Sequence, residues 1–474
     1  MSSTTMVSYL RLDLWDQSAA IRSGKLKSTA LVEEYRRNID RHDDFYNVFV
    51  HLEDERALQA AAVLDAELEA GQLRGPLHGI PLAVKDNVDT LGVDTTAGSR
   101  VLEGSRPGED APLVARLREA GAVIVGKTNM DEFAYGFTTE NRHYGNARNP
   151  YDPERVAGGS SGGSALAVAL AMSSGAIGTD TNGSIRVPAS LCGLTGLRPT
   201  YGRVSRRGIV PLAASFDQAG PITHSARDAA LILSVIAGHD PEDPESRDLE
   251  TPNYPAALEA PCPSFRIGVP NEHFFEGADD AVVSSVRAVL EKLASESQDL
   301  VELTLNKAST GRESAALITA VESASAATDE MLKSPELFDV AVLGRLKSRL
   351  KIPHSDYEGA REHAAAVRKE LMKTFETVDF TVTPTCPLLP IRIGEEPCEI
   401  DGLIVSPSSY LGHYTSVFGL AHLPAMSMPC GFSPNGLPIG MQLVGAPYQE
   451  TKLLQLARLI ERTTGLVNLR PPSG

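Results

Sequence analysis

Residues 156–172 read VAGGSSGGSALAVALAM, and the reading of this stretch decides the fold. Two glycine pairs bracket the adjacent hydroxyls of Ser160 and Ser161, and a run of small, helix-favouring residues follows. Three readings compete: a tight turn leading into a Ser-capped helix, a phosphate cradle, or a loop presenting a catalytic serine. A phosphate cradle needs Lys and then Ser or Thr after its last glycine, but Gly163 is followed by Ser164 and Ala165. Gly158, Ser160 and Gly162 formally satisfy GxSxG, yet that nucleophile elbow must directly follow a strand. The preceding ARNPYDPERVA carries Pro150 and Pro153, which argue against one. Taken alone, the stretch reads as a turn whose serines bond backbone groups.

The rest of the chain narrows the choice. Its 474 residues, 42% hydrophobic, supply a sizeable core, either as several ordinary domains or as one continuous α/β unit. A formal charge of −17 argues against nucleic acid as a partner, because phosphate-binding surfaces are basic. Cys192, Cys262, Cys386, Cys398 and Cys430 are scattered, with no metal-ligand spacing, so reduced thiols and a cytoplasmic location are expected. The opening MSSTTMVSYLRLDLWDQ lacks the pattern of a secretion signal, and no apolar run approaches the ~20 residues of a membrane span.

Helical and strand-like segments alternate. Residues 28–40 read as an amphipathic helix with Ser28 or Thr29 as N-cap, and Ile80–Val84 as a short apolar strand. DAPLVARLREAG reads as a capped helix closed by Gly121, and AVIVGKT as a buried strand. SFRIGVP, DLVELTL, VDFTVTPT and PIGMQLVG supply further strands; DDAVVSSVRAVLEKLASES and TKLLQLARLIERTTG supply helices. The alternation predicts a largely parallel or mixed sheet covered by helices on both faces. Residues 239–263, rich in proline and acids, read as a surface connection between an N-terminal half with special loops and a blander C-terminal half.

About two dozen residues beyond the opening stretch stands AIGTDTNGSIRVPASLCG, residues 176–193. Here Ser184 sits on a Thr-Asn-Gly turn whose N–H groups can converge as an oxyanion hole. Lys85 closes the apolar run of GIPLAVKDNVDT. Burial there would lower its pKa, while an ordinary strand-end lysine would reach solvent.

These segments, with SFDQAGPITHSARDAALIL, TVTPTCP and GLPIGMQLVGAP, resemble the amidase signature family over nearly the whole chain. The resemblance implies a single α/β/α domain over residues 1–474, built on a large twisted mixed sheet, with the motif-bearing core at residues 65–240. It also implies a Ser–cis-Ser–Lys triad, with Ser184 as nucleophile, Ser160 following a cis peptide bond, and Lys85 as base. Serine needs a base before it can attack, and Ser160, with one donor and two acceptor lone pairs, can relay its proton to a neutral lysine. Backbone N–H groups of Thr181, Asn182, Gly183 and Ser184 are the expected oxyanion donors. Ser161 is expected to support its loop, and Asp180 and Arg186 to brace the turn by charge pairing. No metal or organic cofactor is implied.

Two departures bear on substrate. The common family pattern is DTGGS, and here it is DTNGS; the Asn182 side chain narrows the oxyanion approach or adds a donor. His422 stands where relatives often carry glycine and is either near the pocket or on the surface. Met130, Phe133, Tyr135 and Phe137 line an acyl pocket or belong to ordinary core. The leading expectation is a freestanding hydrolase of a small amide, carbamate (urethane) or ureide, with a homodimer left open. The alternatives are the glutamine-hydrolysing A subunit of a tRNA-dependent amidotransferase, which works with partner chains, and a non-catalytic binding module.

Overall fold

Eleven strands form one mixed sheet in the computed structural model, which describes residues 9–327, 329–400 and 403–472. They are β1 (Phe49–Leu52), β2 (Pro81–Lys85), β3 (Val123–Thr128), β4 (Gly175–Asp180), β5 (Thr195–Arg198), β6 (Gln218–Thr223), β7 (Arg266–Pro270), β8 (Asp299–Leu303), β9 (Phe380–Pro384), β10 (Ala425–Phe432) and β11 (Pro438–Gly445). Their spatial order is β1-β3-β2-β4-β6-β5-β10-β11-β9-β7-β8. β2 runs parallel to both β3 and β4, and β7 to both β8 and β9. The other pairings are antiparallel, so the sheet is mixed, as the alternation of segments predicts.

Every residue of β2, β3, β4 and β11 is buried, because helices cover both faces of the sheet. Successive side chains of a strand point to opposite faces, and β2 makes the division visible. Leu82 and Val84 enter a core shared with helices Ala226–Ile236, Asp280–Ser295 and Glu450–Thr464. Ala83 enters a second core with helices Ser28–Tyr46, Asp54–Glu69 and Gly162–Ala169. Helix Glu450–Thr464 buries Leu453, Leu454, Ala457 and Ile460 on one stripe and stops at Gly465, whose φ of 71° suits a residue without a Cβ.

Several expectations are corrected. The first amphipathic helix runs to Tyr46, and neither Ser28 nor Thr29 caps it; both N–H groups donate instead to the carboxylate of Asp65 on the next helix. Helix Pro112–Glu119 likewise has no side-chain cap. The proline-rich stretch 239–263 is more than a surface connection. Asp240 and Asp243 are buried against Ser205, Arg206 and Arg207, and Tyr254 is fully buried. Among the described residues, no helix is long and apolar enough to cross a membrane.

Candidate active site

β2 delivers Lys85 to the carboxyl end of the sheet with its amine completely buried. Nζ donates to Ser160 Oγ at 2.7 Å and to Thr179 Oγ1 at 2.8 Å. Burial pulls the Lys85 pKa down to about 7, against the charges of Asp131, Asp217 and Asp180, which raise it. The amine is therefore neutral in a large fraction of molecules near neutral pH. The bland strand-end reading of this lysine does not hold.

The Gly159–Ser160 peptide is cis. Gly159 is needed there because the backbone passes against its neighbours: a Cβ would sit 2.6 Å from the Thr138 nitrogen and against the Asp131 carboxylate. Ser161 does not cap the following helix. Its Oγ donates to the Thr179 carbonyl at 3.2 Å and accepts from the Thr179 N–H, while its own N–H donates to the Ser184 carbonyl at 3.2 Å. One residue thus fastens the cis loop to both β4 and the Ser184 turn.

Asp180 ends β4 and organises that turn. Its carboxylate accepts from Arg186 Nε and Nη2, both at 2.9 Å, and from the N–H groups of Gly183 at 2.8 Å and Ile185 at 3.2 Å. Arg198 adds a second buried guanidinium, donating to the Asp180 carbonyl. Burial alone would raise the Asp180 pKa; the two guanidiniums overcome it and hold the carboxyl at about 2. This pairing corrects one expectation. The Gly183 N–H is spent on Asp180, so Thr181, Asn182 and Ser184 are the remaining oxyanion candidates from the turn.

Ser184 is 3% exposed and lines a cavity of about 510 Å³, a volume suited to a small organic ligand. Thr181, Asn182, Asp131, Tyr135 and Phe137 also line it, whereas Lys85 and Ser160 stand behind the wall with no exposed surface. Met130 is a correction: it is fully buried in a core with Ala97, Ala134 and Leu212 and does not face the cavity. Phe133 packs on Phe338 instead, with ring centroids 5.7 Å apart. Asn182 donates from Nδ2 to Thr319 Oγ1 at 2.9 Å, which fixes its side chain on helix Ala308–Ala326. His422 is neither at the cavity nor free on the surface. It stacks on Tyr201 at 4.2 Å and bonds the Ser215 carbonyl, with a φ of 63° at the position where glycine is common.

Sequence reading missed Thr179, Asp131 and the arginines of the cavity wall. Thr179 had a signal, as the last strand residue before Asp180. Arg312, Arg345 and Arg349 had none, because they come from helices in the half read as bland. Among the described residues, no group of three or more His, Cys, Asp or Glu is placed to hold a metal ion.

Comparison with known proteins identifies the family. The family model described as Amidase matches residues 30–454. The A subunit of glutamyl-tRNA(Gln) amidotransferase from Chloroflexus aggregans is 39% identical over 95% of this chain and 96% of its own length. Its counterpart from Moorella thermoacetica is 41% identical over 89% and 90%. Among solved structures, one from a vestigial protein complex tied to the origins of an s-triazine catabolic enzyme superposes with a TM-score of 0.92. It is 35% identical, covering 98% of this chain and 100% of that one. The 6-aminohexanoate cyclic dimer hydrolase superposes at 0.87 with 28% identity, covering 98% and 99%. Matched along nearly its entire length in sequence and in shape, this C–N hydrolase belongs to the amidase family.

Proposed function

We propose that the chain cleaves an amide C–N bond through an acyl-enzyme on Ser184, with Ser160 relaying a proton to neutral Lys85. The observation that carries this reading is the 2.7 Å contact between the Lys85 amine and Ser160 Oγ, sealed from water behind a serine that faces the cavity. Ser184 Oγ attacks the carbonyl carbon as its proton passes to Ser160 and the Ser160 proton passes to Lys85. Turn amides from among Thr181, Asn182 and Ser184 receive the developing oxyanion. The relay reverses to protonate the departing nitrogen, and water attacking by the same route frees the acid.

Sequence likeness favours the glutamine-hydrolysing A subunit of a tRNA-dependent amidotransferase, since relatives of that name are 38–41% identical over most of the chain. The freestanding hydrolase of a small amide, carbamate or ureide is the second reading. It draws support from the Asn182 side chain on the cavity wall, where the common family pattern has glycine. Assaying the purified chain alone and with copurifying partners separates the two. Glutaminase activity that needs partners supports the amidotransferase; turnover of a chromogenic anilide by the lone chain supports the freestanding enzyme. Loss of neither activity in Ser184→Ala overturns the proposed chemistry.

A further inference from the structure

The turn that carries Ser184 is gripped from the far half of the chain by one hydroxyl. Thr415 lies fully buried at the entrance to the short helix Ser416–Leu420, and its Oγ1 donates to the Asn182 carbonyl at 2.5 Å. The Gly412 carbonyl stands farther off, at 3.2 Å, so the single hydroxyl proton goes to Asn182. Gly183 makes room for this contact: a Cβ there would meet the Thr415 side chain, and its φ of 136° suits a residue without one. Gly419 permits the same closeness one helical turn on, where a Cβ would meet the Thr181 carbonyl.

In a trans peptide the C=O and the N–H point in opposite directions. Both ends of the Asn182–Gly183 peptide are spent, the carbonyl on Thr415 and the N–H on the Asp180 carboxylate at 2.8 Å. The circuit then closes on itself. Arg186 donates from Nε and Nη2 to Asp180 and from Nη1 to the Thr415 carbonyl at 3.0 Å. Thr415 thus meets the turn twice, directly through its hydroxyl and by way of Arg186 through its carbonyl. Asp180, Arg186 and Thr415 have no exposed surface, so water does not stand in for a lost partner.

Without that hydroxyl the Asn182 carbonyl keeps only Ser416 Oγ near it, at 3.4 Å, and Ser416 already donates to the Gly412 carbonyl at 2.9 Å. A buried carbonyl left without a donor is costly, and the peptide relieves it by rotating toward the cavity that Asn182 lines. Such a rotation swings the adjoining N–H groups and brings a carbonyl oxygen toward the place where negative charge develops. We infer that Thr415 is a positioning residue for hydrolysis: its hydroxyl holds the Asn182–Gly183 peptide so that N–H groups of the turn meet the oxyanion formed at Ser184. The inference rests on the proposed acyl-enzyme reading.

Pentyl trifluoromethyl ketone and hexanamide share one alkyl chain and separate the two states. Ser184 Oγ bonds to the ketone carbon, the carbonyl π pair moves onto oxygen as the oxyanion, and the serine proton passes through Ser160 to Lys85. Hexanamide stays a planar ground state in the full-length Ser184→Ala protein. Both are titrated by calorimetry. Wild type binds the ketone at least about a hundredfold more tightly than Ser184→Ala binds hexanamide. Thr415→Val weakens the ketone at least about tenfold and, in the Ser184→Ala background, changes hexanamide about twofold or less. Thr415→Ala, a second hydroxyl-free variant, gives the same loss, and Thr415→Ser, which keeps the donor, restores the ketone to within about threefold of wild type. Ketone affinity that survives both Val and Ala, a loss that Ser does not restore, or equal weakening of ketone and hexanamide overturns the inference. A wild type that binds the ketone no better than Ser184→Ala does counts against the acyl-enzyme reading itself, and the inference falls with it.

Discussion

The amine of Lys85 lies 2.7 Å from the hydroxyl of Ser160, and neither side chain has any exposed surface. In the proposed relay a proton held on that amine blocks transfer, so activity is expected to depend on its loss. With Lys85 near pH 7, kcat/KM rises about tenfold per unit below that value and levels off above it. A pH–rate profile of wild type checks this. An acid limb centred far from neutrality counts against Lys85 as the base.

The same lysine makes folding pH-dependent. Its folded pKa is lowered to about 7 from the ordinary 10.5, so the unfolded chain binds the extra proton between those values. Stability therefore rises with pH across that window, and the burden of burying Lys85, on the order of 4 kcal/mol at neutral pH, fades toward pH 10. Lys85→Met is expected to be inactive yet at least as stable as wild type at pH 7, with the advantage shrinking at pH 9.5. Urea unfolding at both values reads the difference.

Arg186→Met strands the buried Asp180 carboxylate with only Arg198 beside it. The expected loss is about 3–5 kcal/mol, from the cost of an uncompensated buried charge. The Asp180 pKa is lowered to about 2 from 3.8, so its stabilisation is full above that ordinary value and disappears as pH falls through about 2. Denaturant midpoints of wild type and variant at pH 7 and pH 2.5 test this: the gap narrows in acid.

Gly159→Ala places a methyl group against the Thr138 backbone and the Asp131 carboxylate, neither of which can swing away. The expected cost is about 1–3 kcal/mol with activity reduced at least about tenfold, because the displaced loop carries Ser160. Thermal unfolding and an activity assay measure the two effects. Wild-type turnover in this variant would show that the loop tolerates the shift.

Ser184→Ala removes the proposed nucleophile from a residue that touches the cavity without supporting the core. Turnover falls by about 10³-fold or more, the melting temperature stays within a few degrees, and labelling by a fluorophosphonate disappears. Retained labelling would place the nucleophile elsewhere.

Lys85, Ser160 and Ser184, the side chains of the proposed relay, were legible through the resemblance to the amidase signature family; taken alone, the glycine-flanked serines read as a turn and the lysine as an ordinary strand end. Charge alternation around Asp180 and Arg186 announced their pairing. The cavity wall was not legible. Arg312 and Arg349 lie on helices of ordinary composition, and only the tertiary packing of those helices brings both to the cavity that Ser184 lines. Met130 misled for a related reason. Aromatic and sulfur side chains look alike whether they face a core or a ligand, and the strand-end geometry that turns Met130 inward is tertiary. The N-terminal cap failed because Asp65, on another helix, outcompeted the local hydroxyls for the same N–H groups.

Lys85, the proposed base, lies behind the wall, and of the three proposed catalytic residues Ser184 alone lines the cavity, which has a pharmacological consequence. Lysine-directed electrophiles find no approach to the deprotonated Lys85 amine despite its unusual readiness to react. On the proposed chemistry, a covalent inhibitor enters from the cavity and is captured by Ser184.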